Sequence, residues 1–297
     1  MTTRMHHDEF EVNDTLVRRL LTSQFPEFGS LPVTIVEPWG TDNAIWRLGT
    51  DLVVRLPRIH WAASQVDREA NWLPRIAPHL SVAVPKPVVV GEPDFGYPYR
   101  WAVHEWIPGE CASLEGVSDP VIFATDIAKV TVELRNVPTD AAPAARNRAR
   151  PLAEYDRDTR RAIRHASHLI DADTALAIWE AALAADPYNG PAVWVHGDLE
   201  GNCLMTDRQL CGIVDWGSAC VGDPAVDVQV IWSPLFTDDS RGAFVELLAV
   251  DDATLARSRG AAINQACAAL PYYLNTYPLI VERSWHKLAA LGVPRLD

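Results

Sequence analysis

Lysine is almost missing from this chain: Lys86, Lys129 and Lys287 are the whole supply in 297 residues. Basic charge as a whole is in deficit, with a formal net charge of −13 and a sequence pI near 5.1. That balance excludes nucleic acid as the main partner, because phosphate backbones are bound by clustered Lys and Arg. Long apolar runs are missing too. None approaches the ~18 residues that signal a membrane span, so no membrane partner is expected. Met1–Phe10 is polar, with His6, His7, Asp8 and Glu9 in it, which predicts no secretory leader. The cysteines are few and odd in number: Cys111, Cys203, Cys211, Cys220 and Cys267, with no Cys-x-x-Cys pair. This excludes a disulfide framework and points to a reduced, cytoplasmic protein whose cysteines are small buried hydrophobes rather than metal ligands. There is no internal repeat and no long low-complexity segment.

What is present is a composition of 48% hydrophobic and 22% charged residues, enough for one large or two moderate globular domains. Leu16, Val17, Leu20 and Leu21 mark one face of a helix within 13–24, capped by Asn13 or Asp14 and stopped by Pro26. Strands follow at 33–36, 44–48 and 52–56, the last two joined by the tight-turn composition of Gly49–Asp51. Val66, Ala70, Leu73 and Ile76 predict a helix over 62–76, and Val88–Val90 and 99–105 predict two further strands. From Ile107-Pro-Gly-Glu110 onward the chain reads as predominantly helical: 119–135, 151–170, 174–185, 223–231, 241–250, 252–270 and 272–291. This order describes an α+β protein with a boundary near 107, giving units of 1–106 and 107–297.

The exception in the helical half is Val193-Trp-Val-His-Gly-Asp-Leu-Glu-Gly-Asn-Cys-Leu-Met205, followed by Leu210-Cys-Gly-Ile-Val-Asp-Trp-Gly217. Apolar residues on both sides read as short buried strands that would gather His196, Asp198, Asn202 and Asp215 in one cleft. Further pieces stand in order around it: Gly40-Thr-Asp-Asn-Ala-Ile-Trp-Arg-Leu48, Asp51-Leu-Val-Val-Arg-Leu-Pro57, Glu69, Val103-His-Glu-Trp-Ile-Pro-Gly-Glu110, and Gly222-Asp-Pro-Ala-Val-Asp227. Together they resemble the aminoglycoside phosphotransferase family of small-molecule kinases, relatives of the protein kinases. The resemblance covers most of the chain and rests on the ordered set, since His-Gly-Asp-Leu alone is a moderate signal.

The resemblance implies a bilobal protein-kinase-like fold, with a small antiparallel sheet and one main helix in the N-lobe and a mostly helical C-lobe. It implies a cytoplasmic kinase that moves the γ-phosphoryl group of ATP or GTP to a hydroxyl of an aminoglycoside-like antibiotic or related metabolite. Phosphoryl transfer asks a protein mainly for alignment and charge neutralisation. By position, Asp198 is the base for the acceptor hydroxyl, and Asp215 with the side-chain oxygen of Asn202 would hold Mg²⁺, a hard ion that prefers oxygen. Arg55, aimed by Glu69, would reach the nucleotide phosphates, with Glu105 and Ile107 also assigned to the nucleotide; Trp39 and Trp46 flank the Gly40 loop and could cover its base. Glu200, Asp238, Asp239 and Glu282 fall where relatives hold a cationic acceptor.

Two departures stand out. The family usually has Lys where Arg55 stands, and Arg is a planar fork rather than a point charge. The kinase pattern places the Asn five residues after the Asp, whereas Asn202 is four after Asp198, a tight turn that Gly201 could absorb. Plainer readings also exist: Arg55–Glu69 as a solvated surface pair of little energetic worth, His196 and Asp227 as structural braces, and Asp223 as a helix cap. The alternative to an enzyme is a nucleotide-binding pseudokinase or small-molecule sequestering protein. A monomer or weak dimer is expected in either case.

Overall fold

In the computed structural model, which describes residues 4–37 and 40–296, the chain is α+β and divides into two compact units. The first comprises the described residues up to Pro78 together with Ala83–Gly109 and Gly212–Gly217. The second comprises His79–Val82, Glu110–Cys211 and the described residues from Ser218 onward. Trp39, and the expectation attached to it, lie outside the described residues. Among the described residues no helix is long and apolar enough to cross a membrane.

The first unit is built on a five-stranded antiparallel sheet. Its strands are β1 (Val33–Ile35), β2 (Asn43–Leu48), β3 (Leu52–Pro57), β4 (Pro87–Gly91) and β5 (Trp101–Glu105), in the spatial order β1-β2-β3-β5-β4. β3 is therefore central, with Arg55 opposite Ile45 on one side and Ala102 on the other. Helix α1 (Asp14–Gln24) starts where the Asn13 side chain accepts the Leu16 N–H at 2.9 Å. Its apolar stripe, Val17, Leu20 and Leu21, joins Leu48, Leu56, Trp101 and Val103 in the core. Helix α2 (Ala63–Ile76) buries Val66, Leu73 and Ile76, as its 3.6-residue periodicity predicts, and also buries Glu69.

The second unit is mostly helical. Its helices are α3 (Pro120–Arg135), α4 (Asp156–Ala166), α5 (Ala172–Ala184), α6 (Ala225–Val228), α7 (Asp238–Leu247), α8 (Asp252–Tyr273) and α9 (Pro278–Ala290). Asp119, Asp171, Thr237 and Asp251 cap four of them, each accepting backbone N–H groups of the first turn. The long α8 packs against α4, α5, α6 and α9. It approaches α5 closely because position 260 is glycine: a Cβ there would lie 2.6 Å from the Ala182 Cβ. Trp179, Ile263, Leu270 and Leu288 fill the core between these helices.

Short strands interrupt the helices. β7 (Val193–Val195) pairs antiparallel with β10 (Cys220–Gly222). β6 (Glu110–Cys111), β8 (Cys203–Thr206) and β9 (Gln209–Ile213) form a small sheet. Asp207 and Arg208, between β8 and β9, both have positive φ (50° and 65°), the backbone of a two-residue hairpin turn that follows strand twist.

Several boundaries differ from expectation. The helix expected over 151–170 is a short 3₁₀ turn at 152–155 followed by α4 alone. The break expected between 270 and 272 does not occur: α8 runs through Pro271 to Tyr273, and α9 begins at Pro278. Pro271 removes one backbone donor, but it stands within the last turn of a helix whose Leu270 is fully buried, so packing carries the helix past it. β6 and β10 have two and three residues, too few to show a period.

Candidate active site

In the first unit, three charged side chains from separate segments meet. Arg55 of central β3 is buried; its Nη1 donates to Glu69 Oε1 on α2 at 2.6 Å. Its Nη2 makes a short bond to Asp215 Oδ1. The surface-pair reading is therefore corrected: Glu69 is 2% exposed, because the alternation of β3 turns residue 55 toward the α2 face. Burial pushes the Glu69 carboxyl up to about 6 despite the opposing Arg55 charge. Burial also opposes the charge on Arg55, but Asp215 and Glu69 outweigh it and hold the guanidinium pKa above its ordinary value.

Asp215 sits at a bend. Its φ is +61°, a left-handed conformation that Asp tolerates better than most residues and that clusters at functional sites. The bend is held from two directions. Trp216 Nε1 donates back to the Ile213 carbonyl at 2.8 Å, and the Trp216 backbone N–H bonds Glu69. Arg68 on α2 adds a bond to the Gly217 carbonyl at 3.0 Å. The Asp215 side chain remains 37% exposed.

The loop before β2 is tied to α2: Gln65 accepts from Asn43 Nδ2 at 3.1 Å and donates to Asp42 at 3.2 Å. Trp46 is buried in the sheet core. Glu105 ends β5 with an exposed side chain, bonded to Lys86 at 2.6 Å; Ile107, half-buried, follows beyond Trp106. His104 beside them is 2% exposed, and burial, aided by the Arg55 charge, lowers its pKa to about 3.

In the second unit, the loop after β7 is braced from beneath. The buried Asp227 carboxylate accepts the His196 N–H at 2.8 Å and the Gly197 N–H at 2.7 Å. Burial raises its pKa, with His196 and the two N–H bonds opposing. His196, fully buried, accepts the Asp198 N–H at Nδ1 (3.2 Å). This imidazole shapes the loop and does not face solvent. Gly201 has φ +83°, which lets the chain close the turn one residue early. Asn202 Nδ2 then reaches back to the Asp198 carbonyl at 2.7 Å. Using its nitrogen inside the loop leaves the side-chain oxygen as the end available to a cation.

The Asp198 carboxylate is half-buried and accepts Gln265 Nε2 at 3.2 Å, while Arg148 Nη2 stands 3.9 Å from the same oxygen. Glu200 pairs with Lys287 at 2.5 Å, so its charge is neutralised within the unit. Asp238 and Asp239 lie exposed in the first turn of α7, Asp238 bonded to Arg241 at 2.6 Å. Glu282 is exposed on α9. Asp223 does more than cap: it accepts the Ala225 N–H at 2.9 Å and also binds Arg257 Nε at 2.7 Å. Sequence reasoning missed Gln265, Lys287 and Arg148. The available signal was lysine scarcity, which makes a lysine beside Leu288 on an apolar helix face conspicuous.

Among the described residues no cluster of three or more His, Cys, Asp or Glu side chains could hold a metal ion. Mg²⁺ does not require one, since it keeps several waters and binds through one or two protein oxygens plus substrate phosphates. Within the first unit the part-exposed Asp215 carboxylate is an oxygen donor of that kind.

Comparison with known proteins places this geometry. Residues 35–262 match the model described as the phosphotransferase enzyme family, APH. The GDP and kanamycin complex of APH(2")-IIia superposes with a TM-score of 0.75 at 18% identity, covering 94% of this chain and 99% of that one. The macrolide 2'-phosphotransferase MphH from Brachybacterium faecium gives 0.61 at 23% identity, over 94% and 97%. ADP-bound aminoglycoside phosphotransferase APH(2'')-Ib gives 0.60 at 16% identity, over 94% and 98%. No match was found among curated protein sequences.

Proposed function

The chain belongs to the phosphotransferase enzyme family, and from that premise we propose that it transfers the γ-phosphoryl group of ATP or GTP to a hydroxyl of a small molecule, an aminoglycoside-like antibiotic or related metabolite. The observation that carries the proposal is the braced Asp198 loop. Two backbone N–H groups are locked onto Asp227 and a third onto His196, which holds a half-buried carboxylate on a rigid turn. A base must be held this way to act on a bound hydroxyl.

In the reaction the acceptor oxygen forms a bond to the γ-phosphorus as the bond to the bridging β–γ oxygen breaks. The hydroxyl proton passes to Asp198, and the nucleoside diphosphate leaves. Arg55, held by Glu69, carries more donors than its two carboxylate bonds use and offers them to phosphate oxygens. Glu105 and Ile107 belong to the nucleotide side. Asp215 and Asn202 would hold Mg²⁺, whose charge neutralises the transferring phosphates.

A small cavity of about 10 Å³ adjoins Asp198 and includes Glu200, Gln229 and Gln265 in its lining. Glu200 Oε1 and Gln229 Oε1 are buried without a hydrogen-bond partner among the described residues. Two such acceptors at a space of this size suit one bound water. Asp238, Asp239 and Glu282 are the carboxylates proposed for cationic groups of the acceptor. Glu200 joins that set through Oε1, its Oε2 being held by Lys287. The test is a mass-spectrometric screen of aminoglycosides, macrolides and hydroxylated metabolites for a gain of one phosphoryl group. Mg²⁺-dependent nucleotide binding with no product from any acceptor would favour the pseudokinase reading.

A further inference from the structure

The loop carrying Asp198 is tied to the last two helices by a chain of polar bonds, and that chain has a direction. Lys287 on α9 is buried, its side chain 3% exposed, and its ammonium donates to Gln265 Oε1 on α8 at 2.6 Å. An ammonium has donors only. Gln265 must therefore turn its amide oxygen to Lys287 and its NH₂ the other way, where it meets Asp198 Oδ1 at 3.2 Å. The same ammonium holds Glu200 Oε2, two residues beyond Asp198. One buried cation thus grips the loop twice, directly at Glu200 and through a neutral amide at Asp198.

We propose that Gln265 and Lys287 are positioning residues for Asp198: Lys287 fixes the orientation of the Gln265 amide, and the amide fixes the carboxylate that receives the acceptor proton. The inference rests on the reading of Asp198 as the base. Chemistry gives a reason for the amide to stand between. A base must keep its affinity for a proton, and a cation in direct contact lowers it. The amide N–H orients the carboxylate and keeps the ammonium one side chain away. Arg148 also faces this carboxylate; at 3.9 Å and 30% exposed, its contact is long and screened by water. Glu200 then has a task of its own: it gives Lys287 a counter-charge, without which the ammonium would be buried alone.

The direct readout is the Asp198 side chain in crystal structures of the wild-type chain, Gln265→Leu, and the double variant Lys287→Met/Glu200→Gln. The double variant removes both charges together, so no lone buried charge threatens folding. Asp198 is expected to leave its wild-type rotamer, or to split between rotamers, in both variants; an unmoved Asp198 in both overturns the proposal. On whichever acceptor gains a phosphoryl group in the screen above, kcat should fall roughly 10- to 100-fold, as misplacement of a reacting group costs. KM for the nucleotide should stay within about twofold, because neither residue belongs to the nucleotide side. Unchanged kcat in both variants also overturns it. A wild-type chain that phosphorylates no acceptor sinks the kinase reading, while the crystal structures still decide whether the clamp holds Asp198.

Discussion

Arg55 in the first unit and Lys287 in the second are both buried against carboxylates, and the two are arranged differently. In the first, Arg55 touches Glu69 and Asp215 directly. In the second, Lys287 touches Glu200 directly but reaches Asp198 only through Gln265. The difference follows what each carboxylate is proposed to do. Asp215, as a metal ligand, would work as an anion, and a guanidinium bonds it directly. Asp198, proposed as the base, is oriented by a neutral amide. The residue types suit their places: the planar fork of Arg serves two partners at once, while Lys is a compact point charge.

The strongest way to break the comparison is to remove the base. Asp198→Asn should lower kcat by about 10²- to 10⁴-fold, the usual range for general-base catalysis, with nucleotide affinity unchanged in a calorimetric titration. Next comes the second cation. Lys287→Met leaves Glu200 buried and unpaired, and denaturant unfolding should show a loss of about 3–5 kcal/mol; adding Glu200→Gln should restore most of it.

The charge beside Arg55 can be read through His104. Its pKa is about 3 in the folded unit against an ordinary 6.5, so between these values the unfolded chain binds the proton and the folded chain does not. Stability that is complete above pH 6.5 is then lost as pH falls toward 3, by on the order of 1.4 kcal/mol for each pH unit. Urea midpoints measured across that window should decline, and His104→Leu should flatten the decline. A smaller effect is expected from Arg55→Lys, which keeps the charge but cannot hold two carboxylates in a planar fork: nucleotide KM should rise about tenfold, a loss of about 1.4 kcal/mol of uniform binding. Smallest is Asp238→Ala. Its bond to Arg241 lies at the surface, with Asp238 96% exposed, and thermal unfolding should not change measurably.

Much of this was legible in residue patterns. The 3.6-residue stripes of α1 and α2 and the turn at Gly49 are local signals, and local signals survive reading in one dimension. The pairing of Arg55 with Glu69 was legible for a different reason: the resemblance to the phosphotransferase family implied it from their positions. What stayed hidden depends on three dimensions. β10 exists because β7 is there to pair with it. α8 continues past Pro271 because its buried face outweighs one lost backbone bond. Gln265 and Lys287 lie 67 and 89 positions after Asp198 and Asp198's loop has no mark that names them; only the packing of α8 and α9 brings their amide and ammonium into line. The bond from Glu200 Oε2 to Lys287 was hidden for the same reason.

One measurement bears on the central claim most directly. The wild-type chain and Asp198→Asn are each incubated with Mg²⁺, ATP or GTP, and the acceptor panel, and products are followed by mass spectrometry. The account predicts an acceptor heavier by one phosphoryl group, with an equal amount of nucleoside diphosphate, from wild type and almost none from Asp198→Asn. Nucleotide bound with Mg²⁺ and no phosphorylated acceptor from wild type, or equal product from both chains, would contradict it.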